Sequence, residues 1–321
     1  MKIDFALEKY LKYKKFVEKV STNTQKLHRG AITRFIQFLF VQRSEIPELD
    51  EIWLDDLIEY CEYLETAEFK RGKGYGKTIH LAHNTQIIHQ RCLKKFFNWC
   101  YVSRFMDSEI FNIPLGKFKR TEISYLTSEE VQNFFDITQT AKNQIKKIRD
   151  ELLFRLAYFT WLRKSEILNL TFDQLLDNDQ FQIQGKMERK RTVFFDNESR
   201  IKQLALELKY LYIKNEDKRV HKEDKDYVFL IVAGQDRGKQ LWRGGVFLLL
   251  KQYKERLGIN RERKLTLHSF RHTFATTLLE NGADIREVQV CLWHQNLNST
   301  QVYTHISLDR LRNCASLLHL K

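Results

Sequence analysis

Several short segments of this 321-residue chain bring together the cationic, imidazole and phenolic side chains that can act on a phosphate ester. A phosphodiester is anionic, and the transition state of phosphoryl transfer spreads charge over its nonbridging oxygens. A guanidinium suits that charge because it stays protonated and presents a planar fork of donors. The segments span residues 158–166, 185–190, 268–273 and 292–305, and they contain Arg163, Lys186, His268, Arg271, His294 and Tyr303.

Spacing and acidity limit what these residues can do alone. If a helix has begun by His268, the spacing to Arg271 places both residues on one helical face, where both could address one phosphate. Tyr303 is a possible nucleophile, but a phenol has a reference pKa near 10 and needs a base or cationic surroundings. An isolated tyrosine is more often a packing residue, and the chain has 13 of them.

Taken together, these residues occur in an order and spacing that resemble the tyrosine recombinase, or phage integrase, family. The resemblance is strongest to the simple two-domain Xer type. It covers the C-terminal part of the chain throughout and the N-terminal part more loosely. It implies a site-specific recombinase that cleaves and rejoins duplex DNA through a 3′-phosphotyrosyl intermediate and a Holliday junction, for dimer resolution or for movement of a mobile element.

The resemblance also implies the role of each side chain. Tyr303 is the expected nucleophile, and Arg163 and Arg271 are expected to bind the phosphate. His268 is the expected proton acceptor, and His294 the expected hydrogen-bond donor to the phosphate. Each histidine, taken alone, would more commonly be a core or capping residue.

A lysine on a hairpin turn is expected to protonate the leaving 5′-oxygen. Lys186 matches the family position, and Lys190 is the alternative because the same turn also carries it. Glu166 resembles an acidic residue that orients its neighbours without itself reacting.

Three bulky residues stand where the family usually has glycine, and each is expected to alter loop geometry without removing a catalytic group: Trp161, Met187 and Trp293. No cofactor or metal is expected, since the sequence has no HExxH motif, carboxylate cluster or Walker motif. The phosphotyrosine would conserve the bond energy, so ATP is not required either.

The charge distribution favours double-stranded DNA as the partner. The net charge is +13, and the pI is near 9.4. Residues 2–43 carry ten Lys and Arg against three acids, residues 45–68 carry ten acids and no base, and residues 69–104 carry eight bases and no acid. We therefore expect the second and fourth helices to face DNA and the third to face solvent or a partner; solvated charged faces are the alternative. The expected DNA contacts are Lys26, Arg29, Arg34, Lys73, Lys77, Arg91, Lys94 and Lys95.

Hydrophobic periodicity predicts a mainly helical chain with a small antiparallel sheet. The basic linker between two basic domains, together with the family resemblance, implies a two-domain DNA clamp. A helical DNA-binding domain spans 1–111, a linker 112–126 and a catalytic domain 127–321. The predicted helices lie at about 3–19, 22–42, 52–66, 83–104, 128–139, 146–159, 197–214, 242–256, 270–281, 284–291, 298–303 and 307–319. Residues 179–195 form the predicted hairpin, residues 21–23 and Asn84 are N-cap candidates, and Thr127 begins a capping box.

The last predicted helix, 307–319, would either cap its own domain or, as the resemblance implies, dock on a neighbouring protomer within a homotetramer on two DNA sites. Five cysteines without a CxxC pair favour a reduced, cytoplasmic protein, and no apolar run is long enough to span a membrane. Two other hypotheses are a catalytically silent DNA-binding relative and a type IB topoisomerase. The complete set of six residues disfavours the first, and the predicted terminal helix disfavours the second.

Overall fold

The computed structural model describes residues 1–70, 78–107, 115–119, 124–176, 180–184, 190–195, 199–214, 226–260 and 262–292. The predicted helices at 298–303 and 307–319 lie outside the described residues. The chain divides into two compact units, Met1–Thr121 and Glu122–Lys321. The predicted fold class, mainly helical with a small antiparallel sheet, is confirmed.

The first unit is a helical bundle built on aromatic packing. Its elements are α1 (Ile3–Phe16), α2 (Thr22–Arg43), a 3-10 turn (Leu49–Glu51), α3 (Leu54–Thr66), β1 (Phe69–Lys70), β2 (Thr78–Ile79) and α4 (His83–Val102). Phe35 of α2 packs edge-on against Tyr60 of α3 and Phe97 of α4, with ring centroids 5.0 and 5.9 Å apart. All three rings are fully buried, so these contacts join three helices in one core.

Polar side chains fix where these helices begin. Ser21 caps α2 by accepting a hydrogen bond from the Thr24 amide at 3.3 Å, as one of the N-cap candidates predicts. α3 begins at Leu54 because Asp56 accepts from the Trp53 amide at 2.7 Å and also binds Arg43 at the end of α2.

The prediction that Asn84 caps α4 is wrong. Ala82 occupies the N-cap position, and Asn84 lies inside the helix. Its side-chain amide instead forms two hydrogen bonds with the backbone of Lys119, a residue 35 positions away.

Two buried histidines each hydrogen-bond to a buried tyrosine in the first unit. His28 Nδ1 lies 3.1 Å from the Tyr10 hydroxyl, and His89 Nδ1 lies 3.2 Å from the Tyr60 hydroxyl. Burial lowers the pKa of both His28 and His89 to about 4, assisted by nearby cationic side chains. Both imidazoles are therefore neutral at neutral pH, and the first unit is built around their uncharged forms.

The second unit surrounds one buried helix. Its elements are α5 (Ser128–Thr138), α6 (Gln144–Phe159), α7 (Lys164–Leu168), α8 (Phe172–Leu176), β3 (Gln180–Gln184), β4 (Lys190–Phe194), α9 (Ile201–Lys214), α10 (Arg243–Arg256), α11 (Leu267–Glu280) and α12 (Ile285–Leu292). Every residue of α6 from Ile148 to Phe159 is buried, and the helix packs against α5, α9 and α11. A helix enclosed on all sides places its C-terminal end rigidly.

The predicted hairpin is confirmed: β3 and β4 are antiparallel, with Phe181 opposite Val193 and Gln184 opposite Lys190. The capping box at Thr127 is also present, since its hydroxyl accepts from the Glu130 amide. α9 begins at Ile201, later than predicted, because Arg200 has a positive φ of 57° and cannot be helical.

α11 begins at Leu267, three residues earlier than predicted. The Thr266 hydroxyl accepts from the His268 amide at 3.1 Å, and the Thr266 amide donates to the Ser269 hydroxyl at 3.1 Å. This reciprocal capping brings His268 into the first helical turn. Within the described ranges, no helix has both the length and the apolar character needed to cross a membrane.

The two histidine pairs predict a stability that falls in mild acid. An unfolded imidazole protonates near pH 6.5, whereas the folded pKa of about 4 keeps His28 and His89 neutral. Stability is therefore full above pH 6.5 and declines as the pH falls from there towards 4, by up to about 2 kcal/mol for each histidine between pH 7 and 5.

Urea denaturation of the full chain at pH 7 and pH 5 measures this loss. We expect His28→Gln with His89→Gln to lower stability at pH 7 and to flatten the dependence on pH. The same substitution at exposed His80 is the control and should leave the dependence unchanged. An unaltered pH dependence in the double variant would contradict the assignment.

Candidate active site

Arg271 is the buried centre of the predicted site. Arg271 lies in α11 and is only 3 % exposed. Nη1 donates to the carbonyl of Trp161, and Nη2 donates to the carbonyl of Leu292. One guanidinium thus joins the loop after α6, the helix α11 and the last residue of α12.

The loop after α6, residues 160–163, carries the other predicted arginine; we call it the arginine loop. Trp161 within it has a positive φ of 44°, a conformation that L side chains rarely adopt. Its indole is 2 % exposed and packs against Phe274 of α11, with ring centroids 5.3 Å apart. The backbone at Trp161 therefore has a shape that favours glycine, although the side chain is the largest of the twenty. The expected change of loop geometry stays a prediction.

Arg163 ends the arginine loop as the N-cap of α7. Its amide donates to Glu166 Oε2 at 2.7 Å, and its Nη1 donates to Glu166 Oε1 at 3.1 Å. The Arg163 side chain is 40 % exposed, whereas that of Glu166 is 11 % exposed. Glu166 therefore holds both the backbone and the side chain of Arg163 while the guanidinium still reaches solvent.

The start of α11 presents a pair of histidines. His268 is exposed and His272, one turn later, is half-buried. Their rings lie 4.6 Å apart and nearly perpendicular, at 82°. His272 was not predicted as a site residue, although its spacing of four from His268 in the same helix is a usable signal.

These placements bring Arg163, Arg271 and His268 into one region. Trp161 precedes Arg163 by two residues, which span at most about 7 Å. His268 precedes Arg271 by three residues, or about 4.5 Å along the helix axis. Lys186, His294 and Tyr303 lie outside the described residues, and so does the side chain of Lys190.

The predicted DNA contacts of the first unit differ in their surroundings. Lys26 and Lys95 are exposed, and Lys94 is half-buried. Arg29 forms an exposed ion pair with Glu8. The remaining described members each stack on an aromatic ring: Arg34 lies 4.5 Å from the ring centre of Phe69, and Arg91 lies 4.0 Å from that of Phe118. Lys73 and Lys77 lie outside the described residues.

Among the described residues, no group of three or more His, Cys, Asp or Glu side chains is arranged to hold a metal ion. The arrangement seen in the second unit is instead cationic, with one buried arginine and one exposed arginine near a helix-borne imidazole. Such a set of donors is chemically suited to bind and polarise a phosphate group.

Comparison with known families assigns both units. The model of the phage integrase family matches residues 124–310, and that of the phage integrase SAM-like domain matches residues 3–120. The chain belongs to the phage integrase family. The predicted resemblance is thereby confirmed.

Individual members of the phage integrase family align over most of the chain. A tyrosine recombinase XerD from Halalkalibacterium halodurans is 28 % identical over 316 residues, covering 98 % of this chain and 97 % of the relative. A tyrosine recombinase XerD from Haemophilus ducreyi is 30 % identical over 232 residues, covering 71 % of this chain and 73 % of the relative.

Solved structures share the fold. A XerH site-specific recombinase bound to its difH substrate aligns with a TM-score of 0.63 and 24 % identity, covering 97 % of this chain and 82 % of that one. A lambda integrase dimer bound to a COC′ core site also aligns with a TM-score of 0.63, at 14 % identity, covering 96 % of this chain and 100 % of that one.

The positive φ of Trp161 predicts an unusual order of stability among its variants. Trp161→Ala and Trp161→Gly should both destabilise the protein by about 3 kcal/mol, because each removes a buried indole. Glycine adopts a positive φ without steric cost, so Trp161→Gly should be the more stable of the two by about 1 kcal/mol.

Urea denaturation of the two variants measures the difference. The control is the same pair at Phe247, which is 61 % exposed and lies inside α10. There the glycine variant should be the less stable by about 1 kcal/mol, because glycine is a poorer helix former than alanine. If Trp161→Gly is the less stable of its pair, the backbone of the arginine loop is not strained by its side chain.

Proposed function

We propose that this tyrosine-type site-specific recombinase cuts and rejoins duplex DNA through a covalent bond between Tyr303 and a 3′-phosphate. The observation that carries the proposal is the pair of bonds from Arg271 to the carbonyls of Trp161 and Leu292. They anchor one phosphate-binding arginine beside the loop that presents the other, Arg163. Leu292 also lies two residues before His294 in the sequence, and the same chain reaches Tyr303 nine residues after His294.

In the proposed cleavage step the phenolic oxygen of Tyr303 attacks the phosphorus, and the 5′-oxygen leaves. Arg163 and Arg271 neutralise the nonbridging oxygens as negative charge develops there. His268 accepts the phenolic proton, and His294 donates a hydrogen bond to the phosphate. Because one phosphate ester replaces another, the reverse attack by a 5′-hydroxyl rejoins the strand without a nucleotide cofactor.

The leaving 5′-oxygen takes a proton from a lysine of the β3–β4 hairpin. We assign this role to Lys186, with Lys190 as the alternative. The two strands are paired up to Gln184 and Lys190, so the turn between them is five residues long and both lysines belong to one short hairpin. Glu166 is proposed as a positioning residue, because it contacts Arg163 and leaves phosphate binding to that guanidinium.

Strand exchange in pairs through a Holliday junction requires more than one active site. We propose a homotetramer on two DNA sites, in which the predicted helix 307–319 of each protomer docks on a neighbour. The proposed role is dimer resolution or movement of a mobile element. We place the protein in the cytoplasm, where thiols such as the buried Cys92 and Cys100 stay reduced.

A trapped covalent adduct tests the nucleophile. Duplexes selected for binding from a randomised pool are nicked at successive positions, so that the short product diffuses away after cleavage and religation fails. We expect a protein–DNA adduct that Tyr303→Phe abolishes while binding persists, since the variant keeps the ring and loses only the hydroxyl.

Tyr210→Phe, at a tyrosine that is 60 % exposed, is the matched control and should form the adduct normally. Binding without an adduct at any nick position would identify a catalytically silent DNA-binding protein. Adducts on unrelated duplexes together with relaxation of supercoiled plasmid would identify a topoisomerase.

Substitution of sulfur for the bridging 5′-oxygen separates Lys186 from Lys190. A thiolate leaves without protonation because the pKa of a thiol is near 8.5. We expect the Lys186→Ala variant to cleave the ordinary substrate about 10²–10⁴-fold more slowly than the unchanged protein. The same variant should cleave the sulfur substrate nearly as fast as the unchanged protein. Lys190→Ala should cleave both normally, and the opposite pattern would assign the proton to Lys190.

A further inference from the structure

Residues 115–119, which we call the strap, are bound along the first half of α4. The side chain of Asn84 donates from Nδ2 to the Lys119 carbonyl and accepts from the Lys119 amide at Oδ1, both at 2.9 Å. His83 Nε2 lies 3.1 Å from the Lys117 carbonyl. Three hydrogen bonds from two adjacent helical residues therefore fix the backbone of the strap, although none of the described strands pairs with it.

Apolar and aromatic contacts fasten the strap at two further points. A Cβ on Gly116 would lie 2.5 Å from Cδ1 of Ile87, so the strap backbone approaches α4 closely and a larger residue would require the end of the Ile87 side chain to shift. Leu115 and Gly116 line a groove of about 540 Å³ between α3 and α4. Phe118 carries the guanidinium of Arg91 on its ring face at 4.0 Å, which orients that side chain.

The strap adds two cations to the exposed surface of α4. Lys117, Lys119 and Arg91 are all exposed. In the described parts of the chain, no carboxylate lies within ion-pair distance of these three side chains. Residues 69–106, which include all of α4, contain no acid at all. The part of this surface that α4 and the strap supply is thus basic, whereas Glu62 and Glu65 of α3 line the groove beside Leu115 and Gly116.

We propose that the strap and α4 form one phosphate-binding edge, on which Arg91, Lys117 and Lys119 contact the DNA backbone and Asn84 and His83 act as positioning residues. This inference rests on the proposed function, because it assumes that the chain binds duplex DNA. An anchored backbone presents its lysines without losing conformational freedom on binding, whereas lysines on a free tether would lose it. Residues 115–119 of the predicted linker then belong to the DNA-binding surface of the first unit.

The salt dependence of DNA binding tests the phosphate contacts. The probe is a 30-base-pair duplex of mixed sequence, and its affinity is measured between about 50 and 200 mM salt. Each phosphate contact contributes about 0.9 to the slope of log K against log salt, so Lys117→Gln with Lys119→Gln should lower the slope by about 2. The control removes the same charge from two exposed lysines of α1, Lys12→Gln with Lys15→Gln, and should lower the slope by clearly less.

Asn84→Ala tests the positioning role, because it changes no charge. We expect about tenfold weaker binding at fixed salt, since the strap is then ordered only on binding. Asn133→Ala, at an exposed asparagine in α5, is the matched control and should bind normally. Hydrogen exchange provides a readout without DNA: the Lys119 amide should be protected in the unchanged protein and exposed to exchange in Asn84→Ala.

The outcomes separate this inference from the proposed function. If the unchanged protein binds the duplex with strong salt dependence and the strap variants bind equally well, the strap inference is overturned and DNA binding stands. If the control lysines lower the slope as much as the strap lysines, the edge is not specific and the inference is again overturned. If the unchanged protein does not bind duplex DNA, the proposed function and the inference both fail.

Discussion

The hydrogen bonds of Arg271 are the constraint on which the candidate site depends. A guanidinium that is almost wholly buried needs hydrogen-bond partners, and Arg271 donates to the carbonyls of Trp161 and Leu292. The two carbonyls belong to segments 131 residues apart in the chain. Lysine could not replace Arg271, because an ammonium is a compact point donor and lacks the planar fork that reaches both carbonyl oxygens. The residue proposed to bind the phosphate therefore also assembles the segments that carry the other reactive groups.

Buried charge sets the position of α6 by the same principle. Asp150 is fully buried; its Oδ1 accepts from Arg149 at 2.6 Å and its Oδ2 from the Tyr253 hydroxyl of α10 at 2.8 Å. Arg149 also donates to the Leu230 carbonyl at 2.9 Å. Burial raises the pKa of Tyr253, so its hydroxyl stays protonated and donates to Asp150. Because α6 leads directly into the arginine loop, this network also fixes where that loop begins.

Local sequence patterns predicted most of the helices and the β3–β4 hairpin, whereas contacts between distant residues decided the hydrogen-bond partners of individual side chains. The periodicity of α1 to α6 and the alternation of β3 and β4 are properties of neighbouring residues, so the sequence alone indicated them. α7 and α8 were not predicted because five residues contain too little periodicity. Asn84 has the residue type of an N-cap, but its true partner is Lys119, and no local rule identifies a partner 35 residues away. Likewise, the family resemblance named Arg271 and Glu166 as site residues. Only the structure shows that Arg271 binds two backbone carbonyls and that Glu166 binds the amide of Arg163.

Trp161 shows how a bulky residue can occupy a backbone conformation that favours glycine. A positive φ costs a non-glycine residue roughly 1–2 kcal/mol. Burial of the indole against Phe274 contributes more than that, because truncating a buried tryptophan typically costs about 3–5 kcal/mol. The carbonyl of Trp161 must also point at Arg271, and a relaxed backbone would turn it away and leave a buried charge unsatisfied. The strained conformation is therefore the one of lowest free energy for the whole site, and the bulk added at this position reinforces the loop that presents Arg163.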